Sequence, residues 1–149
     1  MLTTSLIYVE KDGMYLMLHR VRKHEDPNAG KWLGVGGKLE KGETPSECAR
    51  REMLEETGLT ANRLSYRGVV RFESSWTEEM HLFTCESFTG VLTDCSEGVL
   101  KWVPKDEIYR LNLWEGDRVF LELLQRDAPF FKLLLKYDGD RLIESRLMP

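Results

Sequence analysis

The chain has 149 residues, 42% of them hydrophobic and 31% charged, with a formal net charge of −4. That length suits one domain over 1–149 with a sizeable core, and the acidic balance excludes a global positive field for nucleic acid. Cys48, Cys85 and Cys95 lack CxxC spacing, which argues against a disulfide framework or zinc site and for a reducing, cytoplasmic setting. No apolar run approaches a membrane span, and no basic stretch leads into an apolar one at the N-terminus.

Residues 3–10 and 14–20 read as strands, and Lys11-Asp12-Gly13 between them is a strong hairpin signal. His19 is expected as a strand residue with local hydrogen bonds. Residues 21–31 form a polar loop with Pro27 and Gly30. Its Arg22, Lys23 and Lys31, with Arg20 nearby, either contact phosphates or sit on a solvated loop. The short stretch 31–36 is a glycine-punctuated strand, suited to a wall close to a ligand. Lys38, directly after Gly36 and Gly37, has the best claim to a phosphate among the basic residues. The two glycines are expected to admit positive φ and close backbone approach.

A helix follows with both ends specified. Thr44 suits the N-cap, Pro45 the first turn, and Glu47 completes a capping box. Gly58 suits a left-handed C-cap. Residues 64–72 and 80–88 read as strands around a polar loop at 73–79, and 99–103 as another strand. The acidic turn 94–98 carries Glu97. A short helical turn starts at 104–107, and 118–125 has the apolar spacing of a helix packed on a sheet. Trp114 is either a buried anchor or a stacking surface for a base. Residues 130–137 and 141–147 are strands flanking Asp138-Gly139-Asp140. Strands predominate around two helices, which makes the fold α+β.

On the first helix Glu52, Glu55 and Glu56 lie at i, i+3 and i+4 and share a face. Ala49 and Met53 form the adjacent apolar face. The acidic run is either a solvated face with ordinary salt bridges or a site for a hard divalent cation, Mg²⁺ or Mn²⁺. Arg50 and Arg51 project to other sides, where one can pair with Glu43.

The full spacing decides between these. Gly37, five residues, Glu43, seven residues, Arg51-Glu52-Met53, one residue, Glu55-Glu56, one residue, Gly58-Leu59 resembles the signature box of the Nudix hydrolases at every fixed position. The resemblance implies a mixed sheet sandwiched between helices (α/β/α), with the box as loop-helix-loop. It implies a metal held by Glu52, Glu55, Glu56, the Gly36 carbonyl and Glu97, with Arg51 orienting Glu43. The implied reaction is attack of water on a phosphoanhydride.

Residues 30–59, with 94–102 and 114–117, further resemble the MutT/MutX-like oxidised-purine nucleotide diphosphatases. These convert 8-oxo-dGTP to its monophosphate and pyrophosphate and so cleanse the nucleotide pool. The implied substrate contacts are Arg20, Lys23, Leu33, Gly36, Gly37 and Lys38, with Trp114 stacking on the base and Asp117 accepting from a purine edge. Leu33 stands where the mammalian enzymes carry an asparagine, and Gly116 where they carry a second aspartate, so base recognition is expected to differ. The partner is a small nucleotide, with neither nucleic acid nor membrane involved. Other Nudix substrates, such as a dinucleoside polyphosphate or ADP-ribose, are the alternative, followed by a binding module that does not hydrolyse.

Overall fold

The computed structural model describes residues 1–21 and 26–149. In chain order these form β1 (Leu2–Lys11), β2 (Met14–Arg20), β3 (Trp32–Leu33), β4 (Val35–Lys38), α1 (Pro45–Thr57), β5 (Leu59–Glu73), β6 (Thr77–Gly90) and β7 (Gly98–Pro104). A 3₁₀ turn (Lys105–Arg110), α2 (Glu115–Gln125), β8 (Phe131–Asp138) and β9 (Arg141–Met148) complete them. Arg22 and Lys23, expected near phosphates, lie outside the described residues.

The strands run β4-β1-β6-β5-β8-β9, with β1–β6 and β5–β8 parallel and the other pairs antiparallel. A smaller antiparallel group, β3-β2-β7, joins it through the β1–β2 hairpin. Asp12 and Gly13 at that hairpin both take positive φ, 51° and 74°, as the Asp-Gly pair favours.

The period of two along β1 and β2 sends alternate side chains to opposite faces. Ile7, Val9, Leu16 and Leu18 pack with Ala49 and Met53 of α1, whereas Tyr8, Tyr15 and Met17 pack with Phe120 and Leu121 of α2. Ala49, Met53, Phe120 and Leu121 are all fully buried. Each of the larger side chains contributes about 1.5–3 kcal/mol by leaving water. The mixed sheet is therefore sandwiched between two helices, each held by its own apolar cluster. Among the described residues no helix is long and apolar enough to cross a membrane.

Several boundaries differ from the expected ones; β5 already starts at Leu59, five residues before the expected strand, and β6 runs on to Gly90. Residues 31–36 are two strands, not one: at Gly34 the chain leaves β2, which β3 pairs, and joins β1 as β4. The polar loop at 73–79 shrinks to 74–76, because Thr77, Glu78 and Glu79 already pair with β5. The second helix begins at Glu115, three residues before its apolar periodicity becomes visible.

The ends of α1 follow local chemistry. Thr44 Oγ1 accepts from the Glu47 N–H at 3.1 Å, and Glu47 Oε1 accepts from the Thr44 N–H at 2.9 Å. Gly58, at φ 79°, donates its N–H to Leu54 and turns the chain directly into β5. Thr44→Ala is expected to lower unfolding free energy by about 1 kcal/mol, read as a lower urea midpoint with unchanged slope; an unchanged midpoint would contradict the capping role.

Candidate active site

The box is organised by one guanidinium. Arg51 donates twice to Glu43, from Nε at 2.6 Å and Nη2 at 3.0 Å. It also donates to Glu52 at 2.8 Å, Glu55 at 3.2 Å and the Lys38 carbonyl at 3.1 Å. The loop at 38–43 and the acidic face of α1 are thus tied to one cation in bidentate geometry. Arg51 holds the Glu43 carboxyl far below its usual range, at about 2. Arg50 serves the scaffold instead, donating to the Ala61 carbonyl of β5 at 2.7 Å.

Glu52 and Glu56 both line a cavity of about 1000 Å³. Glu56 is only 8% exposed and accepts the Gly36 N–H at 3.3 Å. Burial first, and the Glu52 charge second, push its carboxyl up to about 8. Glu52 is raised too, chiefly by burial, with Arg51 opposing. Two partly desolvated carboxyls facing one space are an unfavourable arrangement that a hard cation relieves.

The glycines of β4 make that approach possible through space rather than through φ. Neither Gly36 nor Gly37 has positive φ, so the expected left-handed backbone is not their role. A Cβ on Gly37 would lie 2.7 Å from the Glu52 carboxyl carbon, and one on Gly36 would strike the Ser5 carbonyl of β1.

The other expected residues are distributed unevenly. Gly36, Gly37, Lys38, Leu33, Arg20, Glu97, Trp114 and Asp117 all line the same cavity. Arg20 reaches it as an ion-pair partner, 3.0 Å from Asp26 and 3.4 Å from Glu97. Glu55 does not line it; that side chain is 58% exposed and turned to Arg51. Among the described residues no three acidic, His or Cys side chains form a ready cage for a metal. Glu52 and Glu56, with backbone carbonyls, nevertheless give an all-oxygen donor set. Such a set fits an ion that keeps waters and takes further oxygens from a phosphate.

Trp114 is a buried anchor that also faces the cavity. Its ring stands edge-on to Tyr137 and Phe72, and its indole N–H donates to Asn28 at 2.7 Å. Only 8% of it is exposed, yet it contributes to the cavity wall. Asp117, at the start of α2, is 6% exposed, and its Oδ2 has no hydrogen-bond partner among the described residues. Burial pushes its carboxyl from 3.8 to about 8, with Lys31 opposing and Glu78 reinforcing the shift. A carboxyl shifted this far is able to donate as well as accept.

Several cavity residues carry no sequence signal of their own. Phe72, Trp76, Glu78 and Met80 line the wall, but they fall at a strand end and in a stretch expected to be loop. Asn28 and Asp26 were hidden in the polar 21–31 segment. Only pairing of β6 with β1 and β5 brings the first group to the site.

The NUDIX domain family matches residues 2–124. An oxidized purine nucleoside triphosphate hydrolase of Danio rerio is 31% identical over 146 residues, 96% of this chain and 92% of that protein. The one from Mus musculus is 33% identical over 122 residues, 80% of this chain and 78% of that protein. A crystal structure of the mutator MutT protein from Bacillus halodurans superposes with TM-score 0.90 at 25% identity, covering 100% of this chain and 99% of that one. The chain belongs to the Nudix hydrolases and is an enzyme of the pyrophosphohydrolase class.

The shift at Asp117 sets a sign for stability against pH. Between about 4 and about 8 the unfolded chain has released this proton while the native chain retains it, so stability falls as pH rises through that window. Asp117→Asn removes the effect. The unfolding free energy of the variant, relative to the natural chain, is expected to climb by a few kcal/mol from pH 4 to pH 8 in metal-free buffer. Parallel profiles in urea titrations would show Asp117 ionised in the native state.

Proposed function

We propose that the chain hydrolyses a purine nucleoside triphosphate to the monophosphate and pyrophosphate, with an oxidised guanine nucleotide such as 8-oxo-dGTP as substrate. Removing such a nucleotide from the pool keeps a miscoding base out of DNA. The observation that carries this is a single cavity with two kinds of wall. One carries the Glu52–Glu56 carboxyls beside Gly36, Gly37 and Lys38, and the other carries Trp114 and Asp117 among aromatic side chains. The first suits a polyphosphate, the second a flat heterocycle with polar edges. The relatives named as oxidized purine nucleoside triphosphate hydrolases support the same assignment.

Nudix hydrolases generally use divalent metal ions. In this chain the metal would be held by Glu52, Glu56 and the Gly36 carbonyl, with Glu97 from the loop before β7 and Glu55 after release from Arg51. Mg²⁺ suits these oxygens, and Mn²⁺ is the near substitute. Once bound, such an ion activates water and neutralises charge on the phosphates.

The protein's own groups do the rest. Lys38 places a cation against the phosphates. Arg51, fixed by Glu43, holds Glu52 in position and prevents the box loop from drifting away from α1. A carboxylate oxygen of the Glu52, Glu55, Glu56 and Glu97 set accepts the proton of the attacking water. Trp114 and Asp117 hold the base, so that the phosphate chain lies along the acidic wall.

Glu52→Gln and Glu56→Gln are each expected to lower kcat about 100-fold or more while preserving the far-UV spectrum and thermal midpoint. Chelation should abolish turnover, and added Mg²⁺ or Mn²⁺ should restore it. Product analysis on a panel of 8-oxo-dGTP, a dinucleoside polyphosphate and ADP-ribose discriminates the substrate. Pyrophosphate and monophosphate from the first support the proposal; preference for either of the others overturns it.

A further inference from the structure

Glu78 is the second residue of β6 and is fixed from both sides, its backbone paired with Leu2 of β1 and Phe72 of β5. Its side chain is fixed as well. Oε2 accepts the hydroxyl of buried Thr4 at 2.8 Å, and Oε1 accepts the Trp76 indole N–H at 3.3 Å. Each oxygen keeps a further lone pair. Glu78 lines the cavity together with Asp117, whose buried Oδ2 is unpartnered among the described residues. The apolar surface around the two acids comes from Phe72, Met80 and Trp114.

An oriented carboxylate at the rim of a flat apolar slot presents two acceptors to whatever edge enters. A 2-amino-6-oxopurine has two adjacent donors there, the ring N1–H and the exocyclic amine, and an acceptor at O6. A 6-aminopurine has a bare N1, whose lone pair would face a carboxylate oxygen. Within a slot that the base fills, an acceptor set against an acceptor discriminates far more strongly than a difference in size. Burial, reinforced by Glu78, pushes the Asp117 carboxyl up, and in its protonated form Asp117 offers a donor to the 6-oxo group, so the two acids divide the labour.

We propose that Glu78 is a specificity-determining residue of this cavity, selecting 2-amino-6-oxopurines over 6-aminopurines by accepting from their adjacent N–H groups. The inference rests on the proposed purine nucleoside triphosphate substrate. It adds a residue from the start of β6 to the base-binding wall that Trp114 and Asp117 supply from the α2 segment.

The test compares kcat/KM for dGTP and 8-oxo-dGTP with that for dATP, in the natural chain and in Glu78→Gln. The glutamine keeps the size and the Thr4 contact but replaces one acceptor by a donor. The guanine-to-adenine ratio should fall at least about tenfold, through KM, with kcat little changed because the acidic wall is untouched. A folded variant that keeps the ratio overturns the proposal, as would a loss confined to kcat, which marks a structural role. Thr4→Val, which releases Oε2, should shift the ratio the same way by a smaller factor. It carries the test if Glu78→Gln does not fold, an unchanged ratio then counting against the proposal. Failure of the natural chain to hydrolyse any of these nucleotides would overturn the purine substrate and this inference together. Selective hydrolysis indifferent to Glu78 would overturn this inference alone.

Discussion

The guanidinium of Arg51 is the interaction on which the rest of the site depends. Without it, Glu43, Glu52 and Glu55 would be like charges around one turn of helix and one loop, repelling each other. With it, the loop at 38–43 is joined to α1 by the bidentate Glu43 contact and the Lys38 carbonyl. The same cation draws Glu55 outward and leaves Glu52 and Glu56 to face the cavity. One arginine therefore helps sort the acidic residues into those it engages outside the cavity and those that line it.

The cavity also contains acids whose charged form the fold penalises. Glu56 and Asp117 are buried carboxyls pushed up to about 8, both lining the cavity. A purely structural interior would pair or replace such groups, since an uncompensated buried charge costs several kcal/mol. Their persistence beside an open volume is the electrostatic mark of a binding site. The physical demands of the two differ: Glu56 confronts Glu52 at close range, whereas the shift at Asp117 comes first from burial, and its Oδ2 is unpartnered among the described residues.

Much of this was legible in the order of residues. The capping box at Thr44 and Glu47, the αL glycine at 58 and the Asp-Gly hairpin are local chemistry, and the structure follows them. The acidic face of α1 was equally plain, because helical spacing converts sequence separation directly into direction. Glu78 and Phe72 were not legible. A strand residue's importance depends on which strand lies beside it, and β6 pairs with β1 across some seventy positions of sequence. Glu55 shows the converse case: it shares the acidic face by spacing, but the Arg51 contact decides where its carboxylate points.

The chain order by itself determined the box, the family resemblance and the two helices, because caps, glycines and helical periodicity act over a few residues. The tertiary structure alone decided that Gly36 and Gly37 serve by leaving room, that burial pushes the Asp117 carboxyl up, and that Trp114 is both anchored and exposed to the cavity. Those properties arise from desolvation and steric contact between segments remote in the chain. No local pattern of residues encodes how much water a carboxyl will lose once the sheet and its helices close around it.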